Sequence, residues 1–162
     1  MLRSTAGSRL YISSTGFRSG SAPLGPAALF TALSWIRIGW MEGMGSLGFQ
    51  WSTIPVGHSG DDRIDRVVKG RRSGNVMQIS MGLDDGDAGQ LKLVEAAGGH
   101  HDFAFWLLFP DDPLGLQPTP TRMWIASVTS LTEAYDTASN VVKRVADLAT
   151  NSAVWPVLGR AP

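Results

Sequence analysis

The sequence predicts an α+β fold, mainly β: a β-sandwich or partial barrel of six to eight strands flanked by one α-helix, with long loops. Short runs rich in aromatic and β-branched residues recur between Gly- and Pro-rich stretches, which is the signature of strands and turns. One segment carries N-terminal capping chemistry and a helical period. No internal repeat at a period of about 20 to 50 residues breaks the chain into a solenoid.

The elements follow in order. "RLYIS" (9–13) is a short strand bounded by glycines, and residues 14–27, rich in Gly, Ser and Pro, read as a flexible N-terminal arm or loop. "SWIRIGWME" (34–42) and "FQWSTIPV" (49–56), separated by the turn "GMGSLG", suggest a hairpin. Residues 57–73 form a charged inter-strand loop, and "NVMQISM" (75–81) is again a strand. In "DDGDAGQLKLVEAAGG", Asp87 is the expected N-cap with Gln90 at the third helical position. Leu91, Leu93, Val94 and Ala97 can face a core, and Gly98 stands where a C-cap glycine belongs. "HDFAFWLLFP" (101–110) and "TRMWIASVTSL" (121–131) have strand length and composition. The last segment, 140–150, places Val141, Val142, Val145, Leu148 and Ala149 at a spacing that taken alone favours a helix.

Length and composition bound the function. The chain of 162 residues suits one domain, 1–162. Lys plus Arg equals Asp plus Glu at 14 each, so no global basic field exists to draw the protein onto DNA or an anionic membrane. The absence of cysteine excludes a disulfide framework and a thiolate zinc site. No secretory h-region and no run of about 18 apolar residues is present, so a soluble product without membrane contact of its own is expected. Only 17% of residues are charged while 19 are Gly, which leaves little polar covering and points to a surface covered by copies of the same chain.

Chemistry is sparse. His100 and His101 with Asp102, Asp111 and Asp112 could be assembled into a metal cluster, but adjacent strand residues point to opposite faces, and a solvated turn before a strand is the simpler reading. "DDGDAG" lacks the glutamate that closes a calcium loop and carries helix-start acids instead. No G-x-S-x-G, H-E-x-x-H or P-loop pattern occurs. Neither an enzyme nor a cofactor or metal is expected. The aromatics, Trp35, Trp40, Trp51, Phe103, Phe105, Trp106, Phe109 and Trp124, fit core and interface packing better than a stacking platform for bases or sugars, although a carbohydrate-binding β-sandwich remains an alternative.

Read in order, "SWIRIGWMEGMGSLG", "FQWSTIPV", a charged linker containing Lys69 and Gly70, an acidic cap with its helix, "FAFWLLFPDD", "RMWIASVTSL" and "NVVKRVADLATNS" resemble the major tail tube protein of phages with long, non-contractile tails, a family related to type VI secretion tube subunits. The likeness spans about residues 10–152. It implies a β-sandwich flanked by a helix, six copies forming a ring whose strands join those of neighbours into a ring-wide barrel, and rings stacked around a lumen that conducts DNA during ejection. It also implies that 140–150 is a strand. The implied partners are other copies of the chain, tape measure protein and DNA in the lumen, and tail tip and tail terminator proteins. The implied location is the virion tail after synthesis in the host cytoplasm. Another head–tail or terminator ring on the same fold is the nearest alternative.

In that light "DDRIDRVVKGRR" is expected to be a stacking contact between rings, with a solvated face as the alternative; three acids among five bases argue against a nucleic-acid patch. Asp61, Asp62 and Asp65 at one end, with Arg63, Arg66, Lys69, Arg71 and Arg72 beyond, can pair between subunits, each exposed pair contributing about 0–1 kcal/mol. In the arm, Phe17, Arg18, Pro23 and Leu24 are candidates for contact with a neighbouring subunit.

Overall fold

The computed structural model describes residues 5–18, 32–57, 66–110, 119–137 and 140–158. They form ten strands and one principal helix: β1 (Arg9–Arg18), β2 (Trp35–Ile38), β3 (Met41–Met44), β4 (Phe49–Val56), β5 (Arg66–Gly74), β6 (Val76–Gly82), α1 (Ala88–Gly98), β7 (His101–Leu108), β8 (Pro120–Ala134), β9 (Lys143–Thr150) and β10 (Trp155–Leu158). Eight strands make one sheet in the order β2-β1-β7-β8-β9-β6-β3, with β10 added to β8; β4 and β5 pair only with each other. Among the described residues every strand pairing is antiparallel.

The two ends of the large sheet, β2 and β3, are joined by only Gly39 and Trp40. The sheet is therefore bent round on itself and stays open along one seam rather than closing into a barrel. Helix α1 packs against β8, β2 and β1, and its N-terminal cap meets the β2–β3 junction. Asp87 caps it by accepting from the Gln90 amide at 2.8 Å, and the same carboxylate oxygen accepts from the Gly39 amide at 3.2 Å. A Cβ at Gly89 would run into the Arg37 carbonyl, so glycine lets the helix backbone press directly on β2.

The side chains divide accordingly. The inner face of the bend packs Leu10, Ile12, Ile38, Met77, Ile79, Met81, Phe105, Trp124 and Leu148 under the helix residues Leu93 and Ala96. A smaller cluster on the opposite face joins Tyr11, Trp106, Met123 and Ile125 to the half-buried Phe17, Trp35 and Trp155.

Several expectations are corrected. Strand β1 runs on to Arg18, so residues 14–18 of the expected arm are ordered as a strand, with Phe17 opposite Asp102 and Arg18 opposite His101. The run 34–42 is broken at Trp40 into two strands at opposite ends of the sheet, and the hairpin is β4 with β5 instead. The expected loop 57–73 is strand from Arg66 onward. Leu91 and Val94 are exposed while Gly89, Gln90, Leu93 and Ala96 are buried, because the helix docks on the face that Gly89 presses against β2, and Leu91 and Val94 fall on the other side. Strand β9 alternates strictly, with Arg144, Ala146, Leu148 and Thr150 inward, which replaces the helical spacing with the strand the family resemblance implied.

Candidate assembly surfaces

The β4–β5 hairpin is the part of the fold least explained by the subunit alone. Isolated two-stranded ribbons are marginal in water because neither face is covered. Here Phe49, Trp51, Ile54, Val67 and Val68 all remain about half exposed or more. What anchors the ribbon is its base. The Asn75 side chain accepts from the Gly48 amide at 2.7 Å and donates to the Ser46 carbonyl at 2.6 Å, while the Asn75 carbonyl accepts from the Thr150 amide. A Cβ at Gly74 would collide with Thr150, so the chain passes close against β9 as it leaves the hairpin for β6.

The ribbon itself is basic. Arg72 stacks its guanidinium 3.4 Å from the Phe49 ring centre, and Lys69 lies 5.9 Å from that of Trp51, so cations partly cover the aromatics. Neither described strand of the hairpin carries an acid. Of the residues expected to form an inter-ring contact, Arg66, Lys69, Arg71 and Arg72 lie on β5, whereas Asp61, Asp62, Arg63 and Asp65 fall outside the described residues. Of the arm candidates, Phe17 and Arg18 end β1, and Pro23 and Leu24 fall outside the described residues.

The other end of β6 carries a surface that the sequence did not reveal. Trp40, Tyr135 and Val141 are 68%, 72% and 66% exposed. Trp40 also holds φ at 56°, a left-handed conformation unusual for a bulky residue and typical of sites under functional constraint. Its indole donates to Asp84 at 2.8 Å. Beneath this surface, the buried Arg144 guanidinium donates to Glu133 at 2.9 Å and to Asp85 at 3.1 Å. It also reaches the Gln90 carbonyl oxygen at 3.3 Å. The Tyr135 hydroxyl and Arg144 together hold the Glu133 carboxyl below its ordinary value, and the Glu133 carboxylate raises the Tyr135 hydroxyl in return. Lys143, 2.8 Å from Glu42, is raised by that partner.

Other candidate chemistry resolves into structure. Asp102 is buried at the start of β7 and accepts from the Asn151 side-chain Nδ2, while His101 faces solvent. Among the described residues no three His, Asp or Glu side chains converge as a metal site; Asp111 and Asp112 lie outside them. Of the aromatics, Phe105 and Trp124 stack at 5.8 Å in the core, and Trp106 meets both Tyr11 and Trp35 in the second cluster.

No family model matches the sequence, and no curated protein does. Solved structures do match in fold. The SPP1 tail tube superposes with a TM-score of 0.66 at 15% identity, covering 99% of this chain and 81% of the other. A chain of the sheath/tube terminator of an extracellular contractile injection system (PVC) gives 0.64 at 11%, covering 97% of each. An Hcp protein gives 0.53 at 9%, covering 94% of this chain and 99% of the other. Over nearly its whole length, then, the chain has the fold shared by phage tail tubes, contractile injection systems and Hcp.

Proposed function

We propose that this protein is the structural subunit of a phage tail tube, forming hexameric rings that stack around a lumen through which DNA passes at ejection. The observation that carries this reading is the β4–β5 hairpin, a ribbon with apolar residues in solvent that pairs with no other described strand of its subunit, within an architecture shared with the SPP1 tail tube. A head-to-tail contact that closes on rotation gives a ring, and a second contact repeated along the axis gives a filament. The hairpin supplies the second, with Lys69, Arg71 and Arg72 reaching the adjacent ring. Of the arm candidates, Phe17 and Arg18 at the end of β1 meet a neighbouring subunit in this reading.

A conduit must let DNA slide, and each phosphate contact by Lys or Arg adds affinity that slows passage. The outward face of β6 and β9 comes near that demand: Gln78 donates to Asp147 at 3.1 Å, Ser80 and Val145 lie beside them, and the one cation on this face of β9, Lys143, is paired with Glu42. This face would line the lumen. Tape measure protein and DNA would occupy it in turn, with tail tip and terminator proteins at the two ends of the tube. The protein would be made in the host cytoplasm and reside in the virion tail.

Negative-stain micrographs of the concentrated protein, with and without preformed seeds, test this. Hollow tubes of uniform width are expected. Compact particles under every condition would overturn the proposal. Single rings that never stack would instead favour a terminator, the second reading supported by the likeness to the PVC sheath/tube terminator.

A further inference from the structure

The surface at the far end of β6 has the properties of a receptor for the hairpin. Strand β6 leaves the hairpin base at Val76, opposite Ala149, and ends at Gly82, opposite Lys143. Seven residues of strand separate the two ends by about 20 Å. Gly82 lies beneath the exposed surface, with Trp40 and Val141 side-chain carbons 3.6 and 4.0 Å from where its Cβ would be. Hairpin and surface therefore sit at opposite ends of one strand pair. A contact between one copy's hairpin and another copy's surface is head-to-tail and propagates along the strand direction.

Charge and polarity match. The surface centres on the exposed Trp40, Tyr135 and Val141, with Asp84 bonded to the Trp40 indole, Asp85 to Arg144 beneath, and Asp136 next to Tyr135 in the chain. The nearby cations are already engaged, Lys143 with Glu42 and Arg144 with Asp85 and Glu133, so the border is net acidic. The hairpin offers Val67 and Val68 beside Lys69, Arg71 and Arg72, none of which ion-pairs with a described carboxylate of its own subunit. Large apolar side chains rimmed by polar ones mark protein contacts, and opposite potentials fix which surfaces meet.

We propose that the surface around Trp40, Tyr135 and Val141 receives the β4–β5 hairpin of a second copy of this chain. This inference rests on the tube reading and adds to it the second half of the axial contact.

A charge-swap mixture tests it. One chain carries Arg71→Glu with Arg72→Glu, and the other carries Asp85→Lys with Asp136→Lys, both carboxylates being exposed. Each alone should require at least about a tenfold higher concentration to polymerise; thermal unfolding of the first should stay close to the parent's, whereas the second gives up the Asp85–Arg144 pair and is checked for folding before use. Mixed in equal amounts they should recover growth, because native hairpin then meets native surface and reversed hairpin meets reversed surface. If the doubly lysine-substituted chain unfolds early, Val141→Ser replaces it, and polymerisation at the parent's concentration would overturn the inference. A parent that polymerises beside a mixture that does not overturns this inference alone. A parent that stays monomeric under every condition overturns the tube reading and this contact with it.

Discussion

Replacing Ile54, Val67 and Val68 together by threonine separates the hairpin's role in assembly from its role in folding. Threonine keeps the β-branched shape that suits a strand and adds a hydroxyl, so the ribbon's backbone preference is retained while its apolar surface is reduced. The three side chains are 53%, 61% and 53% exposed in the free subunit. Fully burying a Val or Ile contributes about 1.5–3 kcal/mol, so covering the half still in water contributes about 1 kcal/mol each. Three together come to about 3 kcal/mol per contact, and at about 1.4 kcal/mol per tenfold the concentration needed for polymerisation should rise roughly 100-fold. The isolated subunit should hardly notice, since exposed substitutions usually stay within about 0.5 kcal/mol each. Sedimentation gives the concentration of protein left unpolymerised, and circular dichroism gives the unfolding midpoint. An unchanged polymerisation threshold would refute the reasoning. So would a large fall in the midpoint, which would mean that the hairpin packs on its own subunit.

Two other perturbations probe the fold and its electrostatics. Leu93→Ala, at a fully buried position, should destabilise the subunit by about 3–5 kcal/mol, whereas Leu91→Ala, 52% exposed on the same helix, should stay within about 0.5 kcal/mol; comparable losses in denaturant unfolding would place the helix the wrong way round. Glu133 is held below its ordinary value of 4.5, so its stabilising contribution is present above that pH and disappears as pH falls through the lower folded-state value. The difference in unfolding midpoint between the parent and Glu133→Gln should therefore be constant near neutrality and close in acid, and a gap independent of pH would contradict the Glu133–Arg144 pairing.

Much of the large sheet can be read from the chain because its strands are apolar runs with clear stops. The run 101–108 is almost wholly buried, and capping by Asp87 onto Gln90 announces the helix. The failures share a cause: partners distant in sequence decide what is buried. Strand β9 looks helical because Arg144 reads as a surface residue, yet its guanidinium is buried among Asp85 and Gln90 at the start of the helix and Glu133 on β8. On the helix, the close approach to β2 favours Gly89 and Ala96 at the contact, so the larger Leu91 and Val94 mark the wrong face. The break at Trp40 depends on its bond to Asp84, 44 residues away, and strand β10 is held by Thr121 donating to the Val157 carbonyl. The charged stretch stands out by composition alone. Its apolar half, Val67 and Val68 with Ile54 and Trp51, draws notice only once the hairpin is seen to stand uncovered. The surface around Trp40 and Tyr135 has no sequence signature, since its residues come from four separate segments.

The central claim is that the β4–β5 hairpin is exposed in the free subunit and covered in the assembled tube. Amide hydrogen exchange, compared between monomer and polymer, reads this directly. The amides of Phe49–Val56 and Arg66–Gly74 should exchange fast in the monomer and slow markedly on polymerisation, while β7 and the middle of β8 stay protected in both. Equal exchange of the hairpin in monomer and polymer would contradict the account.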